Sequence, residues 1–251
     1  MDTRERSVEQ ARSLLAGASR IVALTGAGIS TESGIPDFRG PNGLWTRNPA
    51  AEKLFDLRSY LSDPDVRRRS WQARAEHTAW HAEPNAAHRA LVDLERTGRL
   101  HALVTQNIDG LHQRAGSSPA LVIELHGTIF DTLCLTCADR RPMREALDRV
   151  AAGETDPACL ACGGILKSAT ISFGQSLDVA VLTRARDAAR SADLLLVAGS
   201  SLTVQPAAGL VGLAARAGAT VVVCNGSETP YDAMAAVILR EPLGSTLPAL
   251  V

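Results

Sequence analysis

The sequence predicts an α/β protein, in which a parallel sheet carries helices on both faces and a smaller module is attached to it. Three observations lead to this prediction. Apolar strand-like runs alternate with helical patterns along much of the 251 residues, which is typical of a sheet covered on both faces. The first run ends in a Gly-Ala-Gly turn, which makes the sheet Rossmann-like. A separate stretch carries two closely spaced pairs of cysteines.

The predicted elements of the sheet follow in chain order. A short helix over residues 8–15 leads into a first strand over 20–24. Five more apolar runs are predicted as strands, over residues 100–107, 120–127, 192–201, 220–225 and 235–240. A helix over 206–218 separates two of them, and a short helix closes the chain.

Residues 42–81 have a different character, with three tryptophans, the basic run Arg67–Arg69, helical spacing and no strand pattern. We therefore predict a helical insertion over 45–81, which forms a small domain together with a cysteine-bearing module over 131–166. The predicted Rossmann-like domain takes up the other three segments, which are 1–44, 82–130 and 167–251.

The overall composition narrows the class of protein. Hydrophobic residues make up 45% of the chain, which is enough for a packed core. The net charge of −1 argues against a direct nucleic-acid binder, and no apolar run approaches the roughly 20 residues that span a bilayer. The charged N-terminus lacks the apolar core of a signal peptide. We expect a cytoplasmic protein without a membrane partner, and a monomer.

The cysteines predict a structural zinc site. Cys134, Cys137, Cys159 and Cys162 form two C-x2-C pairs separated by 21 residues, slightly more than the usual gap of about 15–20. Two such turns present four thiolates to one ion and leave no position for water. Four unrelated buried cysteines, or a redox-active dithiol, are the weaker alternatives. The fifth cysteine, Cys224, lies in an apolar run and is interpreted as a packing residue. The small module is thus predicted to be a zinc ribbon with helices.

Small, polar and titratable residues follow the predicted strands, where open α/β sheets bind their ligands. They are Gly26, Ala27, Gly28 and Ser30 after the first strand, Gln106, Asn107, Ile108 and Asp109 after the second, His126 after the third, Gly199, Ser200 and Ser201 after the fourth, and Asn225 after the fifth. Each has an ordinary structural explanation by itself, such as a tight turn, a helix cap or a hydrogen-bonded histidine. Their joint occurrence favours a nucleotide site, although Thr31 stands where a dehydrogenase fingerprint has its third glycine.

The sequence resembles the sirtuins, which are NAD-dependent protein deacylases. The resemblance extends from Ala23 to Asn225 and rests on "GAGISTESGIPDFRG", "TQNIDGLHQRAG", "ELHG", the four cysteines, "ISFGQ", "GSSLTVQPA" and "CN". It implies an enzyme that uses NAD as a reactant, releases nicotinamide and transfers the acyl group of an acylated protein lysine to ADP-ribose. We therefore expect NAD as co-substrate, one structural zinc ion and acylated-lysine proteins as partners.

The resemblance also implies a role for individual residues. His126 is the expected general base, since an unperturbed histidine pKa of about 6.5 suits proton removal near neutral pH. Asn107 and Asp109 are expected to line the nicotinamide pocket with Ile108 beside them, and Gln106 to bind ribose hydroxyls. The remaining expected NAD contacts are Gly26, Ala27, Gly28 and Ser30 near the phosphates, Asp37, Phe38 and Arg39 in a mobile cover loop, and Gly199, Ser200, Ser201 and Asn225 at the adenosine half.

The resemblance implies that the substrate peptide adds as an extended strand between Phe173-Gly174-Gln175 and Thr203-Val204-Gln205. Gln175 stands where members often carry Glu. Trp71 and Arg74 match only half of the Tyr-x-x-Arg pair found in members that remove acidic acyl groups, so Arg74 is either an acyl ligand or a solvated helix residue. Deacetylation is the expected activity. The alternatives are a broader or acidic-acyl deacylase (a desuccinylase or demalonylase), a protein ADP-ribosyltransferase and a non-catalytic NAD-sensing module.

Overall fold

The main sheet of the protein has six parallel strands. In a computed structural model, which describes residues 3–40, 43–48 and 53–251, these strands are β1 (Ile21–Thr25), β2 (Leu100–Thr105), β3 (Val122–Glu124), β7 (Leu194–Ala198), β8 (Thr220–Cys224) and β9 (Val237–Leu239). Their order is β3-β2-β1-β7-β8-β9. Winding therefore reverses between β1 and β7, and ligands of such sheets bind at the carboxyl ends of the strands beside this switch point.

Helices cover both faces of this sheet, as the sequence predicts. One face carries α1 (Thr3–Gly17), α5 (Ala86–Arg96) and α10 (Leu243–Leu250), and the other carries α8 (Val179–Ser191) and α9 (Gly209–Arg216). Alternate residues of β1 show the arrangement, since Ile21 and Ala23 belong to the first core and Val22 and Leu24 to the second. A strand buried on both faces has to be apolar throughout, which explains the continuous apolar runs.

A second sheet of three antiparallel strands forms the smaller module. Its strands are β4 (Gly127–Cys134), β5 (Arg140–Pro142) and β6 (Leu166–Thr170), in the order β5-β4-β6. The remaining helices are α2 (Leu44–Arg47), α3 (Leu57–Ser62), α4 (Pro64–Ala75), the short α6 (Leu111–Ala115) and α7 (Met143–Ala151). Trp71 of α4 and Met143 of α7 pack with Cys134, Cys159 and Leu166 in the core of this module.

The segment predicted as a helical insertion contains α2, α3 and α4, and the part of it at residues 49–52 lies outside the described residues. The strand predicted over 120–127 is too long. Strand β3 covers only Val122–Glu124, and Gly127 already belongs to the second sheet. The chain turns at Gly127, which has a φ of +70° and sits so close to β6 that a Cβ atom there would lie 2.1 Å from the carbonyl oxygen of Ala169.

Four helices outside the predicted insertion, α5, α6, α7 and α8, are absent from the sequence prediction. Two of them have recognisable N-terminal caps, since Asn85 accepts hydrogen bonds at the start of α5 and Asp178 at the start of α8. Across the described ranges, every helix is too short or too polar to cross a bilayer.

Candidate active site

Three glycines form a close junction between the loops that follow β1 and β7. The Gly26 amide donates to the Ala198 carbonyl (3.1 Å), and the Gly28 amide donates to the Gly199 carbonyl (2.8 Å). Gly199 itself has a φ of +69°. The structure therefore gives the Gly26 and Gly28 amides partners within the protein, and the role of these glycines there is close approach of two backbones rather than donation to a ligand.

Adding one methyl group at this junction is expected to damage the site. A Cβ atom on Gly28 would lie 2.9 Å from both the Cα atom and the carbonyl oxygen of Gly199, so backbone atoms would have to move. We expect Gly28→Ala to lower the free energy of unfolding by about 1–3 kcal/mol and to weaken NAD binding. The matched control is Gly17→Ala, because a Cβ atom on Gly17 meets no atom within 4 Å. Denaturant unfolding and NAD titration measure both effects, and an unchanged Gly28→Ala protein would contradict this reading of the junction.

The predicted residues Ser30, Asn107 and Asp109 form one buried hydrogen-bonded cluster beside the junction. Ser30 Oγ donates to Asp109 Oδ2 (2.7 Å), and Asn107 Nδ2 donates to Ser30 Oγ (3.2 Å) and to the Gly26 carbonyl (3.1 Å). Burial raises the pKa of Asp109, and a hydrogen bond from the Leu111 amide opposes this. The cluster holds an amide and a carboxyl group in fixed positions at the carboxyl end of β2.

A second polar layer, missed by sequence reasoning, lies beneath this cluster. Thr105 Oγ1 accepts hydrogen bonds from the backbone N–H of Asn107 (3.0 Å) and from the hydroxyl of Thr25 (2.9 Å). Because the Thr25 hydroxyl proton is used there, its oxygen accepts from Nε2 of His112 (2.9 Å). The ring of His88 lies 5.0 Å from that of His112. These buried side chains fix the backbone at Asn107. A regular helix or strand pattern does not reveal this layer, because Thr25 contacts Thr105 and His112, which lie 80 and 87 positions further along the chain.

The buried histidine pair makes stability depend on pH. Burial lowers the pKa of His88 to about 4, and it lowers the pKa of His112 well below the ordinary value. Both rings are therefore neutral in the folded protein. On unfolding they take up protons once the pH falls below about 6.5. The stability that depends on these rings is thus fully present above that pH and decreases between pH 6.5 and 4. We expect the free energy of unfolding to fall by about 1.4 kcal/mol per pH unit for each ring in this range. Denaturant unfolding from pH 7 to 4.5 measures this slope. Unfolding of a His88→Gln variant should take up about one proton fewer, so its slope should be smaller by the contribution of one ring. An equal slope in that variant would contradict the assignment.

His126 has one ring nitrogen bound and the other available for chemistry. Its Nδ1 lies 2.9 Å from the carbonyl oxygen of Gln106 and must carry the proton, because a carbonyl only accepts. Nε2 then keeps its lone pair. Burial lowers the pKa of His126, with the hydrogen bond to Gln106 opposing the effect, so the ring is neutral at pH 7. The side chain of Gln106 donates to Ser200 Oγ (2.8 Å), which connects this histidine to the β7 loop.

The predicted cover loop folds back on itself and packs on aromatic side chains. Asp37 Oδ1 accepts from the Gly40 amide (2.9 Å). The Phe38 ring lies 4.7 Å from that of Trp45, and the guanidinium carbon of Arg39 lies 4.4 Å from the Trp45 ring centroid. Trp45 is central to this packing, although the sequence analysis assigns it no role.

The same aromatic packing reaches the predicted substrate loop. Trp45 lies 5.4 Å from Phe173, and Phe55 contacts both Phe38 and Trp45. The backbone of Phe173 accepts from the Leu57 amide (2.9 Å) and donates to the Phe55 carbonyl (2.7 Å). The cover loop and the substrate loop are therefore parts of one packed unit.

The remaining predicted substrate and adenosine residues take the following positions. Gln175 accepts through Oε1 from the Ser172 amide (3.2 Å) and from Lys167 Nζ (3.3 Å), and Gly174 precedes it with a φ of +78°. Half-buried Val204 lies before α9. Ser201 Oγ lies 3.0 Å from Thr203 Oγ1. Arg240, which the sequence analysis does not identify, donates to the Asn225 carbonyl (2.9 Å) and so supports the loop after β8.

The four cysteines converge on one point of the small module. Their sulfur atoms all lie within 4.8 Å of one another, with separations of 3.6 Å for Cys134–Cys162 and 3.7 Å for Cys137–Cys159. A tetrahedral zinc with bonds of about 2.3 Å has sulfurs about 3.8 Å apart, so the cluster fits this ion. Hydrogen bonds from the backbone amides of Cys137 and Thr136 lower the pKa of Cys134 and favour its thiolate, whereas the pKa values of Cys137 and Cys162 are raised in the same cluster. When bound, zinc would hold the two turns together and supply no open coordination position.

Comparison with known proteins agrees with this geometry. The model of the Sir2 family matches residues 26–206, which is more than half of the chain. The chain belongs to the Sir2 family. This confirms the resemblance to the sirtuins, which is another name for these proteins.

Individual Sir2 proteins match almost end to end. The chain is 53% identical over 237 residues to NAD-dependent protein deacetylase 2 of Streptomyces coelicolor, covering 94% of this chain and 98% of the relative. It is 42% identical over 242 residues to an NAD-dependent protein deacetylase of Rhodopseudomonas palustris, covering 96% and 94%. Among solved structures, a Sir2 protein with a p53 peptide and NAD+ is 35% identical with a TM-score of 0.85, covering 98% of this chain and 96% of that one. The predicted Rossmann-like fold with a small module is therefore confirmed.

Two residues predicted to bind substrate in this Sir2 protein, Trp71 and Arg74, have different surroundings. Trp71 is buried with 1% exposure in the core beside Cys134 and Leu166, so it stands as a packing residue in the structure. Arg74 lies near strand β6 and donates from Nη2 to Thr170 Oγ1 (3.3 Å). Arg74 is half-buried, and its role as an acyl ligand stays a prediction.

Proposed function

We propose that this Sir2 protein is an NAD-dependent protein-lysine deacetylase that transfers the acyl group from acyl-lysine to ADP-ribose and releases nicotinamide. The observation that carries the proposal is the arrangement of His126, with Nε2 available, beside the buried Asn107–Asp109 cluster at the switch point of the sheet. The relatives named as NAD-dependent protein deacetylases support it. So does a solved Sir2 structure with a deacetylated p53 peptide and 3′-O-acetyl ADP-ribose.

In the proposed mechanism His126 is the general base. Its Nδ1–H is fixed on the Gln106 carbonyl, so Nε2 accepts a proton from a ribose hydroxyl after the acyl oxygen has attacked the ribose. Asn107 and Asp109, with Ile108, hold the nicotinamide group, and Ser30 keeps the carboxyl group of Asp109 in position. Positioning the reacting groups within a buried cluster lowers the barrier, because the protein has already fixed their orientation on folding.

The other proposed NAD contacts follow the two loops of the glycine junction. The loop of Gly26, Ala27, Gly28 and Ser30 is proposed to lie near the phosphates, where the Gly26 and Gly28 amides bind the β7 loop and leave the phosphates to other groups. Gln106 is placed at the ribose, and Gly199, Ser200, Ser201 and Asn225 at the adenosine half. Asp37, Phe38 and Arg39 cover the reacting ribose, and Phe38 excludes water from it. The proposed zinc ligands are Cys134, Cys137, Cys159 and Cys162.

The substrate peptide is proposed to pair as an extended strand with Phe173, Gly174 and Gln175 on one side and Val204 on the other. Backbone pairing of this kind accepts many sequences. We further propose that the enzyme works as a cytoplasmic monomer on acylated-lysine proteins, with the NAD-binding domain formed by 1–44, 82–130 and 167–251 and the small domain by 45–81 and 131–166.

Mass spectrometry of a reaction with an acetyl-lysine peptide and NAD tests this function. We expect the peptide to lose one acetyl group while nicotinamide and O-acetyl-ADP-ribose appear. A protein or peptide that instead gains ADP-ribose would establish the ADP-ribosyltransferase alternative, and no reaction at all would favour a non-catalytic NAD-sensing module.

An acidic-acyl deacylase is the second candidate function, and one observation favours it. In the described part of the chain, the Arg74 guanidinium makes one side-chain hydrogen bond and retains donors for a carboxylate. Parallel assays with acetyl-, propionyl-, malonyl- and succinyl-lysine peptides measure the preference. If Arg74 binds the acyl carboxylate, Arg74→Met lowers kcat/KM for the succinyl peptide more than for the acetyl peptide. Equal losses would remove this candidate.

A further inference from the structure

A small internal cavity lies between α4 and β6, next to the zinc module. Its volume is about 20 Å³, which is room for one water-sized particle. Arg74 of α4 and Lys167 of β6 both line it, together with Trp71, Ser168 and Thr170. The proposed mechanism uses neither Lys167 nor Ser168, so the cavity needs an explanation of its own.

Two cations line this cavity, and no described carboxylate is paired with either of them. Lys167 has 3% exposure, and its Nζ donates to the carbonyl oxygens of Ser168 (3.0 Å) and Thr170 and to Gln175 Oε1 (3.3 Å), all of which are uncharged. Among the described residues no carboxylate forms an ion pair with Lys167 or Arg74. A buried ammonium without an ion-pair partner carries a large desolvation cost, and the half-buried Arg74 adds a like charge beside it.

The carboxylate of Asp156, in the segment that follows α7, is already paired. Asp156 accepts from Nε of Arg67 at 2.7 Å, and Arg67 also donates to the Tyr60 carbonyl. Burial lowers the pKa of Lys167 to about 8, and repulsion from Arg74 adds to this effect, so the ammonium group is still mostly charged at pH 7. Both positive charges are therefore present under ordinary conditions.

Two further polar atoms at the cavity are also left without a partner. Trp71 Nε1 and Ser168 Oγ are buried, and within the described ranges neither forms a hydrogen bond. The indole nitrogen can only donate, and the hydroxyl can donate as well. The cavity is thus lined by hydrogen-bond donors and positive charge. A water molecule could accept from the donors but would leave both charges uncompensated.

We propose that this cavity binds one small inorganic monoanion of about the size of chloride, which accepts hydrogen bonds from Arg74, Trp71 Nε1 and Ser168 Oγ. The charge of Lys167 attracts the anion, although the three N–H groups of this ammonium already bind neutral oxygens. The anion neutralises the two cations and joins α4 to β6. The cavity volume of about 20 Å³ gives room for about one water-sized particle, which matches an ion of the size of chloride. The site shares Arg74 with the acidic-acyl candidate, but it shares no residue with the proposed deacetylase mechanism. The anion proposal and the deacetylase proposal therefore fail separately.

Bromide is a suitable probe because it resembles chloride and scatters anomalously. Crystals of the full chain grown in bromide should show an anomalous peak in the cavity, within contact distance of Arg74 and Lys167. In solution, replacing gluconate by chloride at constant ionic strength should raise Tm by about 3 °C when chloride is at ten times its Kd. Absence of both the peak and the chloride-specific rise would overturn the proposal.

Three variants sharpen this test. Lys167→Met removes one cation, and we expect the chloride-dependent rise in Tm to be abolished. Arg69→Met is the matched control, since Arg69 is exposed on the same helix, and it should keep the full rise. Glu52 lies outside the described residues, two positions before Leu54 at the cavity. If the bromide peak is absent from the wild type but appears in Glu52→Gln, the carboxylate of Glu52 is the counter-charge in the wild type. That result would overturn the proposal.

Discussion

Replacing His126 by alanine is expected to lower kcat/KM for an acetyl-lysine peptide by about 10³-fold, within the range of roughly 10²–10⁴ that a positioned general base contributes. The physical reason is the fixed tautomer. Nδ1–H is held by the Gln106 carbonyl, which leaves Nε2 as the proton acceptor, and alanine has no group to replace it. The affinity for NAD should stay close to that of the wild type, because the glycine junction and the Asn107–Asp109 cluster do not include the imidazole.

A matched control separates this effect from any general loss of a histidine. His101 is exposed near the start of β2, and His101→Ala should keep wild-type turnover. Steady-state kinetics and NAD titration on both variants measure the two properties. Wild-type turnover in His126→Ala would remove the residue from the base role, and an equal loss of NAD binding would assign it to cofactor binding instead.

Removing the zinc should unfold the small module and abolish activity indirectly. The cysteine sulfurs are gathered within 4.8 Å of one another, and a large part of the core of this module is built around Cys134 and Cys159. Structural zinc sites contribute about 10–16 kcal/mol of apparent binding free energy in small zinc-finger peptides, so the apo module has little else to hold it. We expect Cys159→Ala to lose bound zinc, to expose Trp71 to solvent and to lose nearly all deacetylation.

The control for the zinc experiment is Cys224→Ala. Cys224 is also fully buried, but it lies in β8 and outside the cysteine cluster, so this variant should keep one zinc per chain and most of the activity. Metal analysis, tryptophan fluorescence and the peptide assay measure the three properties. A Cys159→Ala protein that lost zinc but remained folded and active would contradict the structural role.

Local sequence patterns predict the parts of the site that lie within single loops. The turn after β1, the two C-x2-C pairs and the residues that follow the strands are contiguous in the chain, and the parallel sheet brings the strand ends to one edge. The exception within this group is the glycine turn. Its sequence suggests amides that face phosphate, whereas the amides of Gly26 and Gly28 bind carbonyls of the β7 loop.

Contacts between distant segments are the part that the sequence does not reveal. Thr25, Thr105 and His112 form a buried layer only because β1 and β2 are neighbours in the sheet. The packing of Trp45 on Phe173 joins residues 128 positions apart. In the sequence, Lys167 is indistinguishable from an ordinary surface lysine on a strand. Its burial is evident only in the folded protein, where α4 packs over β6. Each of these features depends on tertiary packing, which overrides local preference.

NAD is expected to be consumed in proportion to the lysines that lose their acyl group. The most direct measurement is the ratio of nicotinamide released to acetyl-lysine deacetylated, followed by chromatography with a synthetic peptide and the zinc-loaded full chain. We expect a ratio of one, with O-acetyl-ADP-ribose formed in the same amount. Deacetylation that proceeds without nicotinamide release, and so leaves NAD intact, would contradict it.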